Sequence, residues 1–120
     1  MLSKTEAGKK GEDKAIEYLQ NSGYKILEKN WRYRRAEIDI IARESKSGIL
    51  VFLEVKSRSY DYFGEPELSV DDRKKILIAD AASAYMDKIS YNWEIRFDII
   101  SILFNAEKPE IKHFKDAFLI

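Results

Sequence analysis

Residues 37–58 read EIDIIARESKSGILVFLEVKSR, two apolar runs separated by a short polar stretch. Glu37 to Arg43 is almost continuously apolar apart from Asp39. Ile49 to Arg58 begins as a buried-type run and ends with charge on alternate positions. Both have the length and composition of strands, and Ser45 to Gly48 has the composition of the turn between them. Asp39 lies among Ile38, Ile40 and Ile41. A lone carboxylate in such surroundings costs several kcal/mol, roughly the effective burial penalty of one ion, unless a cation or donors compensate it. Glu54 and Lys56 stand two apart at the end of the second run, so the strand period puts both on one face.

Working outward, Tyr24 to Asn30 alternates and predicts a further strand, giving an antiparallel meander of three. Before it, Gly8, Gly11, Ala15, Tyr18 and Leu19 recur at helical spacing, which predicts a helix from Thr5 to about Asn21 with Gly23 as its stop. After residue 58, Tyr60 to Leu68 has no sustained period and predicts an exposed loop. Ser69 then reads as an N-cap, with Asp72 completing an approximate capping box. Val70, Leu77, Ala81, Ala84 and Tyr85 form the inward stripe of a second helix, to about Lys88. Glu94 to Phe104 and Glu110 to Ile120 predict two last strands around Pro109. The order α-β-β-β-α-β-β predicts an α/β fold, a mixed sheet flanked by helices.

The 120 residues, 45% of them hydrophobic, suffice for one core and predict a single domain over 1–120. There is no cysteine, which excludes a disulfide framework and thiolate metal sites and fits a reducing compartment. No apolar run approaches the ~18 residues of a membrane span, so the expectation is a soluble, unprocessed cytoplasmic protein without a membrane partner. Lys plus Arg and Asp plus Glu are 21 each. That balance offers no long-range field for a polyanion and counts against tight nonspecific DNA binding. Charge is nevertheless clustered locally. Lys25, Lys29, Arg32, Arg34 and Arg35 crowd one stretch with Trp31 and Tyr33 among them, which reads either as a nucleic-acid contact or as a solvated charged loop.

The chemistry centres on Asp39, Glu54 and Lys56. Carboxylates from neighbouring strands, with the main-chain carbonyl of Val55, are the hard oxygen ligands that Mg²⁺ or Mn²⁺ prefers. A cation so held polarises a phosphoryl oxygen and acidifies a water, and Lys56 would orient that water or neutralise charge. This is the chemistry of phosphodiester hydrolysis. The competing reading, a buried ion-pair cluster, gains little, because apolar replacements of such clusters are often as stable. Glu37 points to the same side as Asp39, for a supporting hydrogen bond or a second metal, or as a cap to the sheet edge. Glu12 shares the core-facing side of the first helix and wants a partner, an arginine such as Arg96 being one option. Lys74, counted from Val70 and Leu77, falls on the buried stripe and is a phosphate or active-site candidate, or a lysine whose stem packs on apolar surface; Lys75 points away. Arg58 would meet a phosphate where its strand emerges, and Tyr62 with Phe63 would stack on an unpaired base. Arg96 and Asp98 read as a structural salt bridge, and His113, lacking a second histidine, as a surface residue.

Asp39, fourteen intervening residues and then Glu54-Val55-Lys56 resembles the acidic core of restriction-endonuclease-like nucleases. A wider set occurs in order: Gly11-Glu12, Gly23-Tyr24, Asn30-Trp31-Arg32, Glu37-Ile38-Asp39, Phe52-Leu53-Glu54-Val55-Lys56, Gly64, Lys74 and Arg96-Phe97-Asp98. Together these resemble the bacterial YraN (UPF0102) family. The resemblance implies an endonuclease-like fold akin to archaeal Holliday-junction resolvases, a nucleic-acid substrate, a divalent metal, and a place for Glu12 in the metal site. The glycine common before Glu-Ile-Asp is Ala36 here, which makes a positive-φ bend there less easy. The proline that precedes the aspartate in the wider superfamily is Ile38. Three functions follow as expectations. The first is a metal-dependent endonuclease on DNA, branched or flapped in shape. The second is a nuclease-fold module that binds nucleic acid without turnover, and the third a protein-binding domain using the Tyr60 to Leu68 loop and an exposed strand edge. A homodimer is compatible with any of them.

Overall fold

The computed structural model describes residues 4–58, 70–104 and 108–118, with the backbone alone over 4–7. The elements are α1 (Lys4–Asn21), β1 (Tyr24–Tyr33), β2 (Ala36–Glu44), β3 (Leu50–Arg58), α2 (Asp72–Lys88), β4 (Ile95–Phe104) and β5 (Pro109–Phe114). The predicted order α-β-β-β-α-β-β is the observed one, consistent with a nuclease-like core. The strands form one sheet in sequence order. Its first three strands are the expected antiparallel meander; β3 and β4 run parallel, and β5 returns antiparallel. A parallel pair needs a crossover, and α2 supplies it.

Each helix covers one face. On one side Ala15 and Leu19 of α1 pack with Ile40, Ala42, Val51, Leu53, Ile100 and Ile102. On the other, Ile78, Ala81, Ala82 and Tyr85 of α2 pack with Ile38, Ile41, Leu50, Phe52, Phe97 and Ile99. Gly23, at φ 87, turns α1 into β1 through a left-handed conformation that glycine takes without penalty. Gly11 lets α1 close onto β3, for a Cβ there would collide with the Ser57 hydroxyl. Among the described residues no helix is long and apolar enough to cross a membrane.

Several boundaries differ from the sequence reading. β1 continues to Tyr33, so Arg32 lies in a strand and only Arg34 and Arg35 form the turn to β2. The helix α2 is capped by Asp71, whose carboxylate accepts from the Lys74 amide at 2.8 Å; Ser69 and the 60–68 loop lie outside the described residues. Its buried side centres on Ile78, Ala81, Ala82 and Tyr85, which leaves Lys74 exposed and Lys75 half-buried, the reverse of the expectation. β5 ends at Phe114 instead of continuing to Ile120. Asp116 leaves the sheet at φ 51 and gives its amide to the Asp98 carboxylate at 3.1 Å.

Candidate metal centre

The sheet changes character at Asp39. Ile38 packs on the α2 side and Ile40 on the α1 side, although residues two apart on a regular strand share a face. The same exchange occurs opposite. Trp31 pairs with Ile38 and Lys29 with Ile40, while Asn30 between them sits at φ 51. On its other edge the β2–β3 ladder runs only from Arg43/Leu50 to Ile40/Leu53. Beyond that point Asp39 takes over as acceptor: its Oδ2 receives the Val55 amide at 2.8 Å. The strands thus part at Asp39, and groups from both faces reach the opening.

Into it come carboxylates from separate elements. Oxygens of Glu12, Glu37 and Asp39 all lie within 4.8 Å of one another. Glu54 lines the same cleft as Glu37 and Asp39. Burial pushes the Asp39 carboxyl up to about 7. The Val55 amide works against that rise, while the charges of Glu54, Glu12 and Glu37 add to it. Among the described residues, one oxygen of Glu54, Oε2, is buried without a hydrogen-bond partner. Crowded carboxylates and an orphaned buried oxygen form a donor set that suits a hard divalent cation.

The supporting residues are partly those expected. Glu12 faces the sheet as its spacing predicts, but its partner is Asn30, whose Nδ2 donates to Oε2 at 2.9 Å; Arg96 is engaged elsewhere. Glu37 stands in the carboxylate group itself and pairs with Arg32 at 3.1 Å. Lys74 reaches Glu54 with its Nζ despite its exposed position on α2. Lys56 is half-buried on the Glu54 side of β3, and Arg58, at the end of that strand, donates to the Ser57 carbonyl at 2.9 Å. The hairpin holds Arg34 with its guanidinium 5.1 Å from the Tyr33 ring centre, and Arg35 is exposed beside it. Asn30 entered the sequence reading only within Asn30-Trp31-Arg32, with no role of its own, since the positive φ that places it leaves no mark on periodicity.

A second polar group lies under α1. Asp98 is fully buried. Arg96 donates Nε to Oδ1 and Nη2 to Oδ2, both at 2.9 Å, and His113 Nε2 lies 2.7 Å from Oδ2. Arg96 Nη2 also donates to the Tyr24 hydroxyl at 2.7 Å, and that hydroxyl donates to Glu44 at 3.0 Å. His113 is therefore no surface residue: its side chain is 4% exposed, with the Tyr18 hydroxyl 3.2 Å from Nδ1. Its partners lie 15 and 95 residues away in the chain, beyond the range of local reading.

Comparison with known proteins bears on this geometry. The model of the Uncharacterised protein family UPF0102 matches residues 11–102, which contain Glu12, Glu37, Asp39, Glu54 and Lys56. The chain belongs to that family. It is 45% identical to the UPF0102 protein FP2501 of Flavobacterium psychrophilum, with 98% of both chains covered. It is also similar to the UPF0102 protein of Persephonella marina, 48% identical over 92% of this chain and 91% of that one. The Clostridium perfringens UPF0102 protein is 46% identical over 92% and 91% respectively. The family name carries no activity.

Proposed function

We propose that the protein is a divalent-metal-dependent nuclease that hydrolyses phosphodiester bonds in DNA, branched or flapped DNA being the favoured form. The observation that carries this reading is the convergence of Glu12, Glu37 and Asp39 where β2 and β3 part, with Glu54 lining the same cleft. Asp39, Glu54, Glu12 and the Val55 carbonyl would hold Mg²⁺ or Mn²⁺, which supplies polarisation of a phosphoryl oxygen and acidification of a water. Lys56, on the same face as Glu54, orients the attacking water or offsets the charge that develops on the phosphate. Glu37, tied to Arg32, steadies the carboxylate group or joins a second cation. Arg58, Lys74, Arg32, Arg34 and Arg35 bind the substrate's phosphates. Their contribution falls with salt, as expected for a chain of zero net charge that relies on local clusters.

The test is calorimetric titration of Mn²⁺ and Mg²⁺ into wild type and an Asp39→Ala/Glu54→Ala double variant, followed by cleavage assays on branched and single-stranded DNA at low salt. The expected outcome is specific metal binding by the wild type alone and a cleavage rate lower in the variant by about 10³-fold or more, on the scale of removing one strong electrostatic stabiliser. DNA binding without cleavage, indifferent to metal, would support the binding module instead. Absence of both DNA binding and cleavage would overturn every nucleic-acid role.

A further inference from the structure

A cleft apart from the carboxylates lies between the β1–β2 turn and α2. Tyr33, Arg34, Arg35 and Ala36 line one side, and Leu77 and Asp80 the other. Its space, part of it open to solvent, is about 480 Å³. Tyr33 is braced: its ring stacks on Trp31 with 6.2 Å between centres and 3° between planes, and Trp31 meets Tyr85 of α2 edge-on at 5.1 Å. Arg34 holds a φ of 56 at the turn, a left-handed conformation that arginine takes only at some cost in strain. A glycine or asparagine would serve that turn with less strain, so an arginine there points to a use for its guanidinium.

We propose that this cleft receives an unpaired nucleobase of the substrate. The inference rests on the nucleic-acid reading above and deepens it, from phosphate contact to recognition of a base outside the duplex. Tyr33, backed by Trp31, with the planar Arg34 guanidinium 5.1 Å from its ring centre as a surface that a base can stack on or displace, and the apolar Leu77 suit a planar heterocycle. Asp80 adds an acceptor for an exocyclic amine or ring N–H, and Arg34 and Arg35 add donors for ring nitrogens and carbonyls. Bases within a duplex do not present this combination, because their faces are stacked and their pairing edges used. Ala36 at the cleft and Asp39 at the carboxylate group are three residues apart on β2, roughly 10 Å at strand rise. A base held here therefore sits within a few nucleotides of the phosphate at the carboxylates.

The experiment uses two duplexes, one with a single bulged 2-aminopurine and one with the same base paired, bound to the full chain at low salt with Ca²⁺ in place of Mn²⁺. Affinity is read by anisotropy and stacking by 2-aminopurine emission. The wild type is expected to prefer the bulged duplex by roughly tenfold, the scale of one base–aromatic stack, and to quench its emission. Tyr33→Phe keeps both effects. Tyr33→Ala brings the ratio toward one and removes the quench, and Asp80→Ala, at an exposed helix position, lowers the ratio severalfold with no loss of fold by circular dichroism. Equal affinity of the wild type for the two duplexes overturns the base pocket and leaves the nuclease reading standing. A preference that survives both Tyr33→Ala and Asp80→Ala overturns it as well. Binding of neither duplex overturns the pocket and the nuclease together.

Discussion

Asp39 and Asp98 are close neighbours with opposite surroundings. Leu53 of β3 lies between them, paired with Asp98 on one side and with Ile40, next to Asp39, on the other. Burial raises the pKa of both groups. At Asp98 hydrogen bonds from His113 and Arg96 overcome burial and hold the carboxyl below its usual value. At Asp39 the single amide of Val55 does not, and three glutamates push the same way as burial, up to about 7. The contrast shows that burial alone does not decide how a carboxylate is treated; the donors around it do. The chain completes one site from its own side chains and leaves the other with a surplus of negative charge. A buried carboxyl that its neighbours compensate only in part is the kind of group the proposed cation would stabilise.

The comparison breaks most visibly if Asp98 is removed. Asp98→Ala takes the two-pronged carboxylate from the Arg96 guanidinium, whose side chain is 11% exposed, leaving it the Tyr24 hydroxyl and Glu44 at 3.6 Å, and deprives His113 and the Asp116 amide of their acceptor. Loss of one partner from a buried ion pair costs about 3–5 kcal/mol. We expect a fall of that size in urea unfolding, with no recovery on adding Mn²⁺. Recovery by metal would place Asp98 in the same class as Asp39.

The change at Asp39 should have the opposite sign. Its folded pKa of about 7 lies above the unfolded 3.8, so the group favours the fold fully below pH ~4 and that contribution is lost as pH rises to 7. Above pH 7 the metal-free wild type carries a penalty on the order of 4 kcal/mol, about 1.4 kcal/mol for each unit between 3.8 and about 7. Asp39→Asn, which cannot ionise, should therefore be more stable than wild type at pH 8 and gain nothing at pH 4. Mn²⁺ should offset most of the difference by raising the wild type alone, about 2.7 kcal/mol at a hundred times its Kd. Asp98 has a lowered pKa, so its contribution is present above the unfolded value and is lost as acid titrates the carboxyl. Melting temperature against pH, with and without Mn²⁺, separates the two: metal should lift only the alkaline side. An Asp39→Asn variant less stable than wild type at pH 8 would sink the account of Asp39.

How far the sequence carried depended on the range of each interaction. Glu54 and Lys56 share a face because a period of two is local, and the alternation of β1 and of the charged end of β3 was legible for the same reason, while β2 showed as an apolar run. Lys74 was placed on the right face but at the wrong depth. It lies four before Ile78 and seven before Ala81, on the stripe that α2 buries, yet in the first turn of the helix, ahead of the first buried residue, so its side chain stays exposed while its Nζ reaches Glu54. His113 was misread because what buries it is tertiary: α1, β4 and β5 meet around it. The carboxylate group was legible in its residues but not in its cause. Asp39 was visible as an anomaly among isoleucines, whereas the parting of β2 from β3 and the left-handed Asn30 that admit Glu12 appear only in three dimensions.

The smallest expected effect tests whether Lys74 belongs to the completed or the incomplete kind of site. Its side chain is 46% exposed against 14% for Glu54, so the pair it makes is solvent-screened on one side. Such pairs contribute about 1 kcal/mol or less, and Lys74→Met should lower stability by no more than that. The informative readouts are elsewhere. If Glu54 holds a cation, Lys74 competes for the same oxygens, and its removal should tighten Mn²⁺ binding a fewfold. If Lys74 also meets a phosphate, the same variant should weaken DNA binding and lower the slope of log K against log salt by about one. Metal affinity rising while DNA affinity falls is a signature that a purely structural ion pair does not give. Unchanged metal and DNA binding would return Lys74 to the class of Arg96, a cation that serves the fold alone.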